Sequence, residues 1–230
     1  MPPGPTSETV ASLQDLIAEC RLCPRLVEWR EKVAREKVRR FADQEYWGRP
    51  VPSFGDPKAR LLVMGLAPAA HGGNRTGRIF TGDRSGDWLF RALHKAGFAN
   101  QPLSIARNDG LRLKDCYVTA AVRCAPPQNK PLPLEIANCR PYLLRELDLL
   151  SRVKVIVALG RLAFDVSIAS IGLKEPLGAR PLFKHAAQFE LQNNIRLIAS
   201  FHPSQQNTFT GKLTEPMFDK VFSLARKAID

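Results

Sequence analysis

A chain of 230 residues can hold one large domain or, at a stretch, two small ones. With 44% hydrophobic and 24% charged residues it has the composition of a folded globular protein, and no apolar run approaches the roughly 18 residues of a membrane span. Its 34 Lys and Arg against 22 Asp and Glu leave a net charge of +12, which favours a polyanionic partner because neutralising phosphates releases condensed counterions; the plainer reading is a generally basic surface.

The opening MPPGPTSETV has no basic flank and no apolar core, so it does not read as a secretory signal, and a cytoplasmic protein is expected. Residues 1–6 are Pro-rich and read as a frayed end. Ser7 is placed to cap a helix in which Val10, Leu13 and Ile17 recur at helical spacing and which ends near Cys20. A charged helical stretch follows Cys23-Pro24, from about Arg25 to Phe41, and its run from Arg35 to Arg40 reads as a solvated face. Tyr46 to Pro52 is dense in rigid residues and reads as an ordered loop.

The pattern then becomes rhythmic. Leu61–Met64 is a short apolar strand, followed by a Gly-rich loop and a helix from about Ser85 to Ala96. Tyr117–Val122 is a second strand, followed by a Pro-rich loop and a helix over 133–150. Val153–Leu159 is a third, with a helix starting at Gly160, and Ile195–Ser200 is a fourth, with a last helix from about Thr214. Strands apolar throughout, alternating with helices, predict a parallel sheet sandwiched between helices in one domain spanning 1–230. In such folds ligands bind at the carboxyl ends of the strands.

The loops after the strands therefore carry the chemistry. Gly65 to Asp83 follows the first strand; its glycine spacing matches neither the dinucleotide fingerprint nor the phosphate-binding P-loop. It bears one aromatic, Phe80, just before a helix. Arg123 to Pro131 follows the second strand and Phe201 to Asn207 the fourth, and all three should converge on one rim. The cysteines form two groups, Cys20-x-x-Cys23 and the wide pair Cys124 and Cys139, while Cys116 lies inside a strand as a small buried hydrophobe. Four cysteines in two groups suggest metal or cluster binding over ordinary reduced thiols. Zinc favours two tight knuckles, so the wide second pair suits an iron–sulfur cube better. Disulfides are not expected in a cytoplasmic chain.

The segments Gly65–Gly72, Gly77–Asp83, Arg123–Asn129 and His202-Pro203-Ser204 resemble those of the uracil-DNA glycosylase superfamily, most closely family 5 (type B), its iron–sulfur branch. The resemblance runs from about Cys20 to the C-terminus. It implies a three-layer α/β/α fold with a four-stranded parallel sheet, and a 4Fe–4S cluster on Cys20, Cys23, Cys124 and Cys139 that staples the N-terminal helix to the loop after the second strand. It also implies excision of uracil, and often hypoxanthine or xanthine, from DNA, and a monomer is expected. Better-known superfamily members carry an acidic or amide residue in the first motif, where this chain has Leu66 and Ala67, and many have an Asn where it has Ala120. Family 5 resembles this chain in its apolar first motif.

On this reading Phe80 stacks the flipped base beside Ala67, and His202 donates to a base carbonyl. Asp83 orients water and stabilises the cationic sugar, or simply caps the following helix. Asn129 positions the water. Asn207 orients its loop or reads the base edge; His71 is a further base-binding candidate and Asn74 another site candidate, though the polarity of both is equally explained by a solvated loop. Arg75, Arg84 and Lys212 are candidates for phosphate contact. The competing readings are a non-catalytic nucleic-acid-binding protein of the same fold and a zinc-stapled hydrolase of small nucleotides.

Overall fold

The computed structural model describes residues 8–175 and 181–229. The Pro-rich start and the Ser7 cap lie outside the described residues. The first helix, α1 (Val10–Ala18), is capped by Thr9, whose hydroxyl accepts from Ser12 N–H while the Ser12 hydroxyl accepts from Thr9 N–H. The charged stretch is shorter than its pattern predicts. Helix α2 (Pro24–Glu36) stops because Lys37 turns left-handed at φ 55°, and Arg39–Phe41 is a separate 3-10 turn.

The remaining elements follow in alternation: β1 (Phe54–Gly55), β2 (Leu61–Gly65), a short turn of helix α3 (Gly73–Thr76), α4 (Arg84–Lys95), β3 (Cys116–Ala120), α5 (Pro133–Leu149), β4 (Val155–Leu159), α6 (Arg161–Ile171), β5 (Gln188–Glu190), β6 (Arg196–Ser200), α7 (Gln205–Phe209) and α8 (Glu215–Ile229). They form one sheet in the order β1-β3-β2-β4-β6-β5. The four expected strands stand parallel in its centre. The sheet is wider than expected, however: β1 pairs antiparallel with β3 and β5 antiparallel with β6, closing both edges of the parallel core.

Three layers result from the two-residue period of the strands. Leu61 and Val63 of β2, Val118 of β3 and Val155 and Val157 of β4 face α4 and α8, packing against Leu89, Phe90, Leu93, Phe218 and Phe222. Leu62 and Met64, Tyr117, Ile156 and Ala158 face the other way, onto Leu143 of α5 and Phe164 of α6. Each such side chain taken wholly from water contributes about 1.5–3 kcal/mol before chain entropy is subtracted. Cys116 is fully buried in β3, as its place in an apolar run predicts. No helix among the described residues is long and apolar enough to cross a membrane. The first parallel strand, β2, has β3 on one side and β4 on the other, so chain direction across the sheet reverses beside it, where open α/β sheets form their crevice.

Candidate active site and cysteine pocket

The loops leaving β2, β3 and β6 meet at that crevice. They enclose a cleft of about 530 Å³ whose walls are Leu66, Ala67 and Ala69, then Phe80 and Asp83–Ser85, then Asn129, and finally His202 and Ser204–Gln206. Phe80 sits in the left-handed region at φ 53°, which is unusual for a bulky residue and marks a locally forced backbone. Its ring lies across the end of β2, and only glycine fits at position 65 beneath it, since an added Cβ would come within 2.7 Å of the ring. The Phe80 and His202 rings face each other across 6.2 Å at an interplanar angle of 32°.

His202 is hemmed in by protein on every side but the cleft, and this desolvation pushes its pKa down to about 4. At neutral pH the imidazole is therefore uncharged and has one N–H to donate. Its loop is held by Asn207, whose side-chain amide donates to the His202 carbonyl at 2.8 Å and whose backbone N–H is capped by the Ser204 hydroxyl.

Asp83 caps α4 and also reaches the cleft. One carboxylate oxygen accepts from Gly86 N–H at 3.0 Å as the cap of α4, while the residue also lines the cleft as the one carboxylate among its lining residues. The second oxygen rests against Gly72, where an added Cβ would lie only 2.1 Å away. Burial raises the Asp83 pKa above the ordinary carboxylate value, opposed by the helix N–H groups and by Arg75. Asn129 ends the 3-10 turn Pro127–Asn129 in left-handed backbone at φ 57°, after Gln128 at φ 54°, a conformation that asparagine tolerates better than most residues. That turn carries its side chain to the cleft rim.

Other candidates are not brought to the cleft. His71 points Nδ1 at the Tyr46 hydroxyl, 3.1 Å away, and does not line the cleft; burial and the neighbouring Arg75 lower its pKa. Asn207 serves the His202 loop instead of facing the cleft. Arg75 is no free phosphate ligand: its guanidinium ties together the carbonyls of His71 and Gly82 and the Gln44 side chain. Asn74 is fully buried and donates to the Arg30 carbonyl. Lys212 lies over the Phe201 ring, whereas Arg84 does line the cleft. Ser85, Gln205 and Gln206 were given no role by sequence, and Ser204 entered only within the His202-Pro203-Ser204 motif, although all four line the cleft.

A second recess lies behind the Asn129 loop and is lined by all four of Cys20, Cys23, Cys124 and Cys139, with Arg30, Arg123, Asn138 and Tyr142 around them. Arg30, 1% exposed, donates through Nη1 to the Cys124 sulfur at 2.9 Å and through Nη2 to the Cys20 carbonyl at 3.2 Å, while its Nε has no partner. Asn138 donates to the Cys23 sulfur at 3.4 Å. Burial pushes the Cys124 thiol up to about 12, with Arg30 pulling it back. Among the described residues no three His, Cys, Asp or Glu side chains converge tightly enough to hold a single metal ion.

Residues 52–226 match the Uracil DNA glycosylase superfamily. The chain is 52% identical over 220 residues to the type-5 uracil-DNA glycosylase of Mycobacterium tuberculosis, covering 95% of this chain and 81% of that protein. It is 52% identical over 217 residues to the type-5 enzyme of Thermus thermophilus, covering 94% and 96% of the two chains. A type-4 uracil-DNA glycosylase of Archaeoglobus fulgidus is more distant, 30% identical over 155 residues and covering 67% of this chain and 70% of its own. A cleft at the switch point of a doubly covered sheet, with Phe80, Asp83, Asn129 and His202 at its walls, thus belongs to a chain matched along nearly its whole length, and the protein is a member of the uracil DNA glycosylase superfamily, on its type-5 branch.

Proposed function

We propose that the protein acts in DNA repair by hydrolysing the N-glycosidic bond of uracil, and of other deaminated bases, after the nucleotide has flipped into the Phe80–His202 cleft. Membership of the type-5 branch supports uracil as a substrate. The observation that carries the residue roles is the joint presence, in one cleft, of an aromatic face, a neutral imidazole, an amide and one desolvated carboxylate.

Glycosidic cleavage builds positive charge on the sugar and negative charge on the departing base. A neutral His202 donates its N–H to the base carbonyl as that negative charge develops, which is where a fixed donor stabilises most. Asp83, held by Gly86 N–H and pressed on Gly72, faces the sugar side and orients water against the developing cation. Asn129 positions the same water from the opposite loop. Phe80 stacks on the flipped base. The first-motif wall of the cleft is apolar at Leu66, Ala67 and Ala69. Discrimination between bases depends on polar groups that a wrong base would leave unpaired, so this wall favours tolerance of hypoxanthine and xanthine beside uracil.

The cysteine pocket fits a 4Fe–4S cluster. Four thiols line one recess, the number of protein ligands that such a cluster takes. The buried Arg30 guanidinium, with a cysteine sulfur and no carboxylate among its hydrogen-bond partners, needs an anionic neighbour to be tolerable there. Cys20, Cys23, Cys124 and Cys139 would hold the cluster, which supplies a covalent cross-link between α1, α2, α5 and the Asn129 loop.

The test is single-turnover treatment of oligonucleotides carrying one uracil, hypoxanthine or xanthine, followed by alkali. Strand cleavage at uracil is expected, with measurable cleavage at the other two. No cleavage at any of them would sink the proposal, and cleavage at uracil alone would remove its wider substrate range. Brown protein with broad visible absorption is expected on isolation; colourless protein with one zinc per chain would refute the cluster.

A further inference from the structure

Where β6 ends, the backbone that leads to His202 needs a new hydrogen-bond partner. Ala199 N–H donates to the Ala187 carbonyl at 2.9 Å, and Ala186 N–H donates back to the Ala199 carbonyl at 2.8 Å. Strand N–H groups point to the same side every second residue, so Phe201 N–H faces this same segment ahead of β5. There Ala186 is left-handed at φ 60°, an uncommon conformation for a residue with a Cβ, and the backbone turns off. The His185 side chain takes the place of the missing carbonyl: its Nδ1 accepts from Phe201 N–H at 3.1 Å.

That bond fixes the state of the ring. A backbone N–H can only donate, so Nδ1 carries no proton. The proton of the neutral imidazole is then on Nε2, which donates to the Met217 carbonyl, 3.2 Å away in the first turn of α8. Burial and Lys220 of α8 push the His185 pKa below the ordinary imidazole value, and no carboxylate among the described residues hydrogen-bonds to the ring. A charged ring would set one N–H against another at Phe201. The neutral ring also lies on the Phe201 ring, 5.1 Å away at an interplanar angle of 34°.

The residue held in this way is the one before His202. Its carbonyl accepts from the Ser200 hydroxyl at 2.9 Å, and the His202 carbonyl accepts from Asn207 at 2.8 Å. The Phe201–His202 stretch is thus fixed at the N–H of the first residue and at the carbonyls of both. Neither His185 nor Met217 lines the cleft, so His185 can act on a base only through this peptide.

Resting on the base-excision reading, we propose that His185 is a positioning residue: it anchors the Phe201–His202 peptide to α8 and so aims the His202 imidazole at the base site opposite Phe80. A donor stabilises a departing base only when its distance and angle are set before the bond breaks.

Two substitutions separate positioning from packing. His185→Phe keeps a flat ring against Phe201 and removes both hydrogen bonds, whereas His185→Asn is smaller but offers an amide oxygen to Phe201 N–H. Packing alone makes Phe the better replacement, and positioning makes Asn the better one. Single-turnover excision of uracil should fall about 10–10²-fold in His185→Phe and stay within about threefold of wild type in His185→Asn. Hydrogen exchange of the Phe201 amide should speed up in His185→Phe alone. Wild-type rates in His185→Phe, or losses in His185→Asn as large as in His185→Phe, would overturn the assignment. So would nitrogen NMR of the wild-type protein at pH 7 with the His185 proton on Nδ1, a measurement that stands even if a variant does not fold. Undiminished excision by His202→Ala would defeat the role of His202 instead, and exchange of the Phe201 amide would still decide whether His185 holds the peptide.

Discussion

At the scale of single residues, Asp83 and His202 carry opposite electrostatic burdens in one cleft. Desolvation disfavours the charged form of each, raising the Asp83 pKa and lowering that of His202 to about 4. For His202 the unfolded chain binds a proton near pH 6.5 and the folded chain only near 4, so its contribution to stability is complete above about pH 6.5 and is lost as pH falls through that window. His202→Ala should lower the excision rate by about 10²–10³-fold, the range for a lost oxyanion-type donor, with DNA affinity little changed. A wild-type single-turnover rate would remove His202 from the chemistry. For Asp83 the sign is reversed: a raised folded pKa favours folding at acid pH and costs stability as pH rises through it. Asp83→Asn keeps the α4 cap without the charge, so it should melt higher than wild type at pH 7–8, with the gap closing toward pH 4. The same variant should lose roughly 10²–10⁴-fold in excision rate. These residues were legible in the sequence because they lie on loops directly after strands. His71, Asn74 and Arg75 lie on such a loop too, and sequence could not separate them, because a polar group aimed at the backbone looks the same in one dimension as one aimed at a ligand. Arg30 was hidden for the converse reason: it sits within a charged helix whose composition reads as solvated.

At the scale of elements, the parallel strands were legible because burial on both faces makes each an apolar run. Strand β1 is only two residues long, and β5 (Gln-Phe-Glu) has polar, exposed ends, so neither left a pattern to read. What joins the elements below the cleft is also invisible to periodicity. Glu146 of α5, fully buried, accepts from Arg123, from the Thr119 hydroxyl of β3 and from Gln14 of α1, while Arg123 also reaches the Ser53 hydroxyl. Removing the carboxylate strands a buried guanidinium, so Glu146→Ala should cost about 3–5 kcal/mol, read as a lower urea midpoint. A loss below about 1 kcal/mol would show that water replaces the carboxylate and that the network is slack. Arg30 of α2 donates to the Cys124 sulfur, and its own carbonyl accepts from Asn74. If the cysteines hold the proposed cluster, Arg30→Met should release iron to a chelator roughly tenfold faster, followed by loss of visible absorption, because it removes a hydrogen bond and a charge from a ligand sulfur. Equal release rates would assign Arg30 to packing alone.

At the scale of the whole molecule, the charge of +12 implies that much of the affinity for DNA is unspecific and sensitive to salt. If about four phosphates are neutralised, binding should weaken roughly 10²-fold between 50 and 200 mM salt, measured by fluorescence anisotropy on a duplex without uracil. A flat salt response would mean that the basic residues face away from the DNA. The buried network has a further consequence, for how the chain reaches this state. Gln14 hydrogen-bonds Tyr117 and Glu146, 103 and 132 residues away along the chain. Contacts of that sequence separation demand the largest loop closures before they return any stabilisation, so they slow folding and tend to form late. The N-terminal helix is thus expected to dock last on a sheet already assembled, and residues 10–18 should gain amide protection after the strands do.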